Sequence, residues 1–195
     1  MSIEKLVEVE TFVGQVVGFR ALFGYNRIAF VSQPNLSCTA LTASLDASFI
    51  SATGGESRIF FLDEELSVVE RLKDYSPNLV VLSVGCLDEK LESILTSLFY
   101  KLMEQEVDSD FLFSLHSPTL VAIEALRRNR TIRNYLADKR VMAFALDSEN
   151  GLIEIKDVYL LEDELYSEVV EQYPISLKLA LIFSNVYKRE SHPRR

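Results

Sequence analysis

The sequence predicts an α/β protein of three layers, in which a mainly parallel β-sheet lies between two layers of helices. Segments rich in β-branched and aromatic residues alternate along the chain with segments of helical periodicity, as expected when helices connect parallel strands. One predicted strand, NLVVLSV at residues 78–84, is apolar rather than alternating, which indicates a strand covered on both faces. The length of 195 residues suits one domain with a substantial core.

Each further element follows from the local pattern. Gly54 and Gly55 interrupt the chain between the first helix and the second strand. Leu91 and Leu95 recur at the spacing of one helix face, and Pro118 is well placed to start the next helix. The predicted order is strand 27–32, helix 38–52, strand 58–63, a short helix over 66–72, strand 78–84, helix 87–106, strand 110–116 and a helix from 118 to beyond 126.

A β-hairpin is predicted near the end of the chain. The runs VMAFALD at 141–147 and LIEIKDVYLL at 152–161 flank a turn that contains Asn150-Gly151, a typical hairpin turn. Two terminal helices, separated by Pro174, are expected after the hairpin. The predicted organisation is an N-terminal segment (1–26) that packs on the core or on a neighbour, the core itself (27–172), and a C-terminal helix with a basic tail (173–195).

The composition of the chain limits the classes of function that it can have. The net charge of −9 argues against nonspecific coating of nucleic acid by the whole chain. No apolar run reaches the roughly 18 residues of a membrane span, and the charged N-terminus has no signal-peptide core. Cys38, Cys86, His116 and His192 give neither a disulfide framework nor a credible metal site. We therefore expect a cytoplasmic protein with reduced thiols, no metal site and no membrane partner.

The order and spacing of these elements resemble the ATPase core of the RecA superfamily, especially its KaiC-like and RadA-like branch, over residues 25–161. VSQPNLSCTAL at 31–41 lies where that family has its phosphate-binding loop, or P-loop. IFFLDEE at 59–65 lies where its second strand ends in a catalytic glutamate, and LVVLS at 79–83 at its second nucleotide motif. FLFSLH ends in His116, where the family has a polar sensor residue. LADKRVMAFALDSENGLIEIKDVYLL resembles the late hairpin of KaiC-like proteins.

The resemblance implies a nucleotide site that has lost its chemistry. Its degenerate nucleotide-loop positions are Ser32, Ser37, Cys38, Thr39 and Ser83. A P-loop uses glycines so that backbone N–H groups can surround phosphate, and a lysine that neutralises phosphate charge. Cys38 replaces that lysine, and Ser83 replaces the aspartate that organises Mg²⁺, whereas Thr39 is retained and could hold the metal. We therefore expect no enzyme activity and no cofactor, although ATP with Mg²⁺ is the nucleotide that such a site would accept.

Two of these segments also have a simpler interpretation. SQPNLSCTAL suits an ordinary strand-to-helix turn with Ser37 as the helix N-cap. Glu65, or alternatively Glu64, matches the family's catalytic glutamate as a relic, but Asp63-Glu64-Glu65 also suits the negatively charged first turn of a helix. Cys38 would lie at a helix N-terminus, where a thiolate is favoured, or would be inert. The residue types alone leave these alternatives open.

A basic cluster precedes the predicted hairpin. Arg127, Arg128, Arg130 and Arg133 are candidates for contacting nucleic-acid phosphates or an acidic partner surface. The same cluster also suits a solvated helix face of an acidic protein. In the segment ALRRNRTIRNYLADKR, only Tyr135 is aromatic, so no stacking platform for single-stranded nucleic acid is evident.

The predicted function is that of a catalytically inactive RecA/KaiC-like protein that acts as a structural or regulatory subunit of a homo- or hetero-oligomer. Assembly with itself or with a related RecA-like subunit is expected because RecA-like domains normally place the nucleotide between subunits. One alternative is a nucleotide-binding sensor without efficient hydrolysis. The other is a DNA-binding accessory of recombination or repair, acting through the arginine cluster.

Overall fold

The computed structural model describes residues 3–84, 91–114, 126, 128–147, 150–161, 164–175 and 179. Within these residues, the strands are β1 (Arg27–Ser32), β2 (Glu56–Phe61), β3 (Leu79–Ser83), β4 (Asp110–Ser114), β5 (Val141–Asp147), β6 (Leu152–Leu161) and β7 (Glu164–Pro174). The helices are α1 (Ile3–Arg20), α2 (Leu36–Thr53), α3 (Val68–Tyr75), α4 (Leu91–Glu104) and α5 (Arg130–Leu136). The strands form one seven-stranded sheet with helices on both faces, so the predicted three-layer α/β class is confirmed.

The strand order is β2-β1-β3-β4-β5-β6-β7. β1 to β5 pair in parallel, and β6 and β7 complete the sheet as antiparallel strands. The first five strands therefore have the 2-1-3-4-5 order of a doubly wound sheet. Because β1 lies between β2 and β3, the direction of winding reverses at the boundary of β1 and β3. In such sheets, ligands bind outside the carboxyl ends of the strands at this switch point.

Successive side chains of each strand point to opposite faces and form two cores. On one face, Ile28 and Phe30 pack with buried residues of α1 and α2. On the other face, Ala29 and Val31 pack with buried residues of α3, α4 and α5. We call these the α1/α2 face and the α3/α4 face. The position of a residue in its strand therefore determines which of the two helix layers its side chain meets.

Two glycines allow α1 and α2 to pack closely. Gly14 faces Ser44, and Gly18 faces the backbone of Leu45. A Cβ atom on Gly18 would lie 2.5 Å from the carbonyl oxygen of Leu45, so a larger residue requires one helix to move. This close approach packs α1 on the chain's own core and fixes where its side chains meet α2.

The structure corrects one predicted element and confirms another. The predicted hairpin is confirmed, because β5 and β6 pair antiparallel with Asp147 opposite Leu152. The helix predicted before Pro174 is wrong: this region is β7, which pairs with β6 over its whole length. The aromatic and β-branched residues Tyr166 and Val169 suit a strand, and β6 supplies partners for the backbone. The second terminal helix lies almost entirely outside the described residues.

Candidate functional site

Three serines end three neighbouring parallel strands. Ser32 ends β1, Ser83 ends β3 and Ser114 ends β4. Ser32 pairs with Ser83 in register, and the preceding pair of Leu82 with Phe113 places Ser83 beside Ser114. By alternation, all three side chains belong to the α1/α2 face. Each of the three serines is at most 1% exposed, so a row of buried hydroxyls lies at the carboxyl edge of the sheet.

Two of these serine hydroxyls have no hydrogen-bond partner within the part of the chain that the structure describes. Ser32 Oγ donates to the Gln33 carbonyl oxygen at 3.0 Å. Among the described residues, Ser83 Oγ and Ser114 Oγ make no hydrogen bond, and neither does the buried Thr42 Oγ1 of α2. A buried polar group without a partner costs about 1–3 kcal/mol, and native proteins keep few of them. The carboxyl edge therefore has hydrogen-bonding capacity that a polar ligand could use.

A three-residue connection, 33–35, joins β1 to α2 beside these serines. The Gln33 amide donates to the carbonyl oxygen of Ser83 at 3.1 Å, and the Asn35 amide donates to the Gln33 carbonyl oxygen at 2.8 Å. Pro34 has no amide hydrogen. A P-loop surrounds phosphate with free backbone N–H groups, whereas the N–H groups of this connection are bonded within the protein. The P-loop interpretation of the sequence is therefore wrong.

Asn35 is the N-cap of α2. Its side-chain oxygen accepts a hydrogen bond from the Cys38 amide at 2.9 Å, and its carbonyl oxygen accepts one from the Thr39 amide at 2.9 Å. The helix therefore begins at Leu36, and Ser37, which the sequence predicts as the N-cap, lies inside the first turn. The segment is an ordinary strand-to-helix turn, as the simpler interpretation predicts, but its N-cap is Asn35 and not Ser37.

Cys38 is buried against the same turn. Asn35 Nδ2 donates to Cys38 Sγ at 3.4 Å, and Cys38 Sγ lies 4.0 Å from Gln33 Oε1. The thiol is thus surrounded by side-chain amides and is only 1% exposed. These contacts make Cys38 part of the polar packing that fixes the turn between β1 and α2.

Glu10 of α1 places its carboxyl group beside the first turn of α2. Ser37 Oγ donates to Glu10 Oε1 at 3.2 Å, and Glu10 is only 2% exposed. The first turn of α2 favours a negative charge because helix N-termini carry partial positive charge. Sequence reasoning missed Glu10, although its four-residue spacing from Gly14 and Gly18 indicates one closely packed helix face. We call the following cluster the carboxyl-edge corner: Glu10, Ser32, Gln33, Ser37, Cys38, Thr42, Ser83 and Ser114.

Glu65 does not join the carboxyl-edge corner. Its carbonyl oxygen accepts a hydrogen bond from Lys101 of α4, and it lines a cavity of about 320 Å³ on the α3/α4 face. Nearby, Asp63 Oδ1 accepts a hydrogen bond from the Ser67 amide at 2.8 Å, just before α3. Hydrogen bonds from the Ser67 hydroxyl and amide hold the pKa of Asp63 below its usual value. The acidic segment thus meets the start of α3, and Glu65 is not brought to Thr39 or Ser83.

The arginine cluster lies near α5, on the α3/α4 face. Arg128 and Arg130 are exposed and Arg133 is half-buried, while Arg127 lies outside the described residues. α5 itself packs through Ile132 into the core of that face. The predicted nucleic-acid candidates and the carboxyl-edge corner are therefore in different layers of the protein and do not form one site.

The opposite edge of the sheet, where the parallel strands begin, also carries polar residues. Tyr25 OH donates to Asp110 Oδ2 at 2.9 Å, and the Arg140 amide donates to Asp110 Oδ1 at 2.9 Å. Burial and the hydrogen bond to Asp110 raise the pKa of Tyr25 to about 12. The Arg140 side chain in turn pairs with Asp157, with Nε 3.0 Å from Oδ1. We call Tyr25, Asp110, Arg140 and Asp157 the amino-edge network.

Further pairs border this network. Lys139 Nζ lies 2.9 Å from Asp108 Oδ1 and 3.3 Å from Asp138 Oδ1. Ser109 Oγ is buried and donates to the Pro77 carbonyl oxygen at 2.7 Å. These residues surround an open cavity of about 470 Å³. Because the side chains named here bond to one another, we assign this edge a structural role.

Two kinds of site are not found in the part of the chain that the structure describes. No group of three or more His, Cys, Asp or Glu residues is arranged to hold a metal ion there. No helix among the same residues is long and apolar enough to cross a membrane.

Solved structures share this fold at low sequence identity. A solute-binding protein of an ABC transporter from Rhodopseudomonas palustris BisB5, in complex with 3,4-dihydroxybenzoic acid, matches with a TM-score of 0.51 and 11% identity, over 87% of this chain and 65% of that chain. A carbohydrate transporter from Acidothermus cellulolyticus 11B, in complex with myo-inositol, matches with a TM-score of 0.47 and 15% identity, over 70% and 43% of the two chains. An extracellular ligand-binding receptor from Verminephrobacter eiseniae ef01-2 matches with a TM-score of 0.42 and 11% identity, over 70% and 36%. The chain thus spans about two thirds or less of the length of these proteins.

The match to the Rhodopseudomonas palustris BisB5 protein corrects the resemblance to the RecA superfamily. The fold is like that of solute-binding proteins of the periplasmic type and not that of RecA- or KaiC-like ATPases. The error has a physical origin, because a strand, a turn and a small-residue helix occur at the start of both kinds of α/β sheet. In this chain, the two kinds of sheet are distinguished by the short turn at 33–35, whose amide hydrogens are already bonded within the protein.

The remaining comparisons concern sequence alone. No curated protein matches the chain. The family model described as "Uncharacterized protein" matches residues 7–182, and the chain therefore belongs to that family.

Proposed function

We propose that this chain is a non-catalytic binding protein that holds a small polar solute in the carboxyl-edge corner. The observation that carries the proposal is the pair of adjacent buried hydroxyls, Ser83 Oγ and Ser114 Oγ, that have no hydrogen-bond partner among the described residues. They lie at the carboxyl ends of β3 and β4, next to the switch point where doubly wound sheets bind ligands. A solute that hydrogen-bonds to both hydroxyls would remove the cost of burying them unpaired.

The fold supports a binding role. The similar protein from Rhodopseudomonas palustris BisB5 is a solute-binding protein, and its structure contains 3,4-dihydroxybenzoic acid. At 11% identity, the likeness concerns the fold, so the identity of that ligand does not carry over to this chain. The proposal takes from it only the idea that this sheet can serve recognition.

The side chains of the corner also suit recognition better than phosphoryl transfer. Hydroxyl, amide and carboxylate groups fix the orientation of small ligands. The residues that define the corner include no lysine or arginine that could neutralise phosphate charge. Phosphoryl transfer depends on such charges to stabilise its transition state. An enzyme activity of that kind is therefore not part of the proposal.

Assembly into an oligomer stays a prediction. Phe23 and Phe19, near the end of α1, are 76% and 51% exposed, which favours contact with another surface. Light scattering at micromolar concentration tests it, because a stable dimer would have twice the monomer mass. Binding of nucleic acid through Arg128 and Arg130 is likewise untested, and a salt titration with duplex DNA would decide it.

Amide chemical shifts of the ¹⁵N-labelled full chain would test the proposed function. We expect one or more members of a panel of small polar solutes to shift the amides of 32–39, 83 and 114 while leaving 25–27 and 108–110 unchanged. The double variant Ser83→Ala/Ser114→Ala should lose these shifts, whereas Ser51→Ala, at an exposed position of α2, should keep them. Shifts that map only to the amino edge, or that survive the double substitution, would contradict the proposal.

A further inference from the structure

β7 is the outermost strand on one side of the sheet, and its outer side is uncovered. Among the described residues, β6 is the one strand with which β7 pairs. Residues 166–172 of β7 are all exposed, so neither helix layer covers this stretch. An outermost strand presents backbone N–H and C=O groups that no neighbouring strand pairs, so it can accept a further strand from another chain.

The outermost strand on the other side, β2, is less open to such an addition. It has 6 residues, whereas β7 has 11. Its charged side chains of both signs contact one another or their neighbours. Arg27 Nη2 lies 3.1 Å from Glu56 Oε2, and the Arg58 guanidinium lies 4.6 Å from the centre of the Tyr75 ring. Of the two outermost strands, β7 therefore offers the longer surface for a partner.

The side chains of β7 give its two faces different chemistry. Residues 164–169 pair with 156–161 in unbroken register, and a bulge at Val170 then ends the regular pairing. By alternation, Tyr166 and Glu168 belong to one face, and Ser167 and Val169 belong to the other. An added strand would therefore meet an aromatic ring and a carboxylate on one face, and an apolar side chain on the other.

The charge of this surface is negative. From residue 160 to residue 174, the sequence contains acidic residues but no Lys or Arg. Glu168 is exposed and forms no ion pair among the described residues. On β6, Lys156 Nζ lies 2.9 Å from Glu154 Oε2. Asp157, which is opposite Glu168, pairs with Arg140 at 3.0 Å. These two bases are thus paired with acids of β6 itself.

The same charges disfavour a second copy of this chain as the added strand. Two antiparallel β7 strands centred on Glu168 would place this glutamate opposite itself, and like charges directly opposite are destabilising. Each chain also has a net charge of −9, which opposes association between copies. A Lys or Arg on the added strand would instead be attracted to Glu168 and to the face of the exposed Tyr166 ring.

We infer that β7 accepts an extended, basic segment of a partner protein as an additional strand of the sheet. The segment has Lys or Arg at alternate positions, facing Tyr166 and Glu168, and apolar residues between them, facing Val169. Its length is about six residues, which is a typical strand length and matches the regular register of 164–169. Backbone hydrogen bonds supply affinity in this mode of binding, and the alternate side chains supply specificity. The inference does not depend on solute binding at the carboxyl-edge corner.

Three capped hexapeptides, titrated at low ionic strength into the ¹⁵N-labelled full chain, test the inference. The first alternates Lys with Val, the second Lys with Pro, and the third Glu with Val. We expect the Lys-Val peptide to shift the amides of 164–169 and to leave those of β2 unchanged. The Lys-Pro peptide has the same charge but has no N–H donor at its prolines, so it should not bind. The Glu-Val peptide should be repelled.

Two charge reversals complete the experiment. Glu168→Lys should weaken binding of the Lys-Val peptide by about fivefold or more, because a cross-strand attraction becomes a repulsion. Glu8→Lys makes the same change of charge at an exposed position of α1, and it should leave the affinity within about twofold of the unmodified chain. The amide spectra report whether both variants are folded.

Several outcomes would overturn the inference. Equal binding of the Lys-Val and Lys-Pro peptides would show charge attraction without strand pairing. Equal affinities of Glu168→Lys and Glu8→Lys, shifts confined to β2, or no shift at millimolar peptide would also contradict it. Shifts of the 164–169 amides on concentrating the full chain alone would identify a second copy as the occupant. These outcomes leave the proposed solute binding untouched, because its test reads the amides of 32–39, 83 and 114.

Discussion

The two edges of the β-sheet differ in how their polar side chains are hydrogen-bonded. At the amino edge, Tyr25 and the Arg140 amide both donate to Asp110, and the Arg140 guanidinium pairs with Asp157. At the carboxyl edge, Ser83 and Ser114 are more deeply buried than the amino-edge network, but their hydroxyls have no partner among the described residues. The amino-edge network is therefore hydrogen-bonded within the protein, whereas two buried hydroxyls at the carboxyl edge are unpaired among the described residues.

This difference separates residues that stabilise the protein from residues that are available to a ligand. A paired buried group contributes to stability, and removing its partner is costly. An unpaired buried group is an internal cost that proteins tolerate mainly where function needs it. The amino edge is accordingly where substitutions should reduce stability most, and the carboxyl edge is where they should change binding.

The largest effect is expected for Asp110→Ala at the amino edge. It removes the acceptor of both Tyr25 OH and the Arg140 amide, and should lower the free energy of unfolding by about 2–3 kcal/mol. Urea denaturation measures this loss. Asp108→Ala is the matched control, because its carboxylate is 92% exposed, and it should cost less than about 1 kcal/mol. Equal losses of unfolding free energy in the two variants would contradict the stabilising role assigned to the amino-edge network.

A smaller loss is expected for Gly18→Ala at the contact of α1 with α2. The new Cβ would lie 2.5 Å from the Leu45 carbonyl oxygen, and separating the helices should cost about 1–3 kcal/mol. Alanine is intrinsically better than glycine in a helix by about 1 kcal/mol, so a loose contact would instead give a gain in stability. Thermal or urea unfolding decides between the two signs, and a gain would contradict the close packing that places Glu10 beside Ser37.

A pH-dependent effect should appear at the amino edge in alkaline solution. The pKa of Tyr25 is raised from 10.0 to about 12 because burial and Asp110 favour the neutral hydroxyl. A group whose pKa is raised on folding stabilises the protein fully below its unfolded pKa, and this contribution is lost as the pH rises through the folded value. The free energy of unfolding should therefore fall more steeply above pH 10.0 in the unmodified chain than in Tyr25→Phe. Parallel curves for the two proteins would contradict the assignment.

Much of the fold follows from the sequence because apolar runs and helical periodicity are local signals. β1, β3 and the β5–β6 hairpin were predicted close to their observed positions, since their residues are strongly β-forming or flank an Asn-Gly turn. β7 was missed because ELYSEVVEQYP mixes charged with apolar residues and becomes a strand through pairing with β6. The superfamily was misjudged because the order of elements is shared by sheets that connect their strands differently.

The sequence predicts that Ser32 and Ser83 lie in one region, but it does not predict their hydrogen bonds. The sequence predicts Ser32 and Ser83 as degenerate nucleotide-loop positions, and the structure places them in register with each other. Their proximity follows from parallel pairing, which a sequence can indicate. Their hydrogen bonds depend on the turn at 33–35 and on α1, and these are tertiary features. Glu10 was missed for the same reason, because only the packing of α1 on α2 brings it to Ser37.

The smallest expected change in the free energy of unfolding tests the contrast between the two edges most directly. Both Ser83 and Ser109 are buried serines, but Ser109 Oγ donates to the Pro77 carbonyl oxygen at 2.7 Å, whereas Ser83 Oγ has no partner in the described part of the chain. The measurement is the free energy of unfolding of Ser83→Ala and Ser109→Ala in the same urea titration. Ser109→Ala should lose about 1–2 kcal/mol, and Ser83→Ala should be unchanged within about 0.5 kcal/mol or slightly more stable. A loss in Ser83→Ala as large as that in Ser109→Ala would show that the Ser83 hydroxyl is already satisfied, and would contradict the claim that the carboxyl edge is open to a ligand.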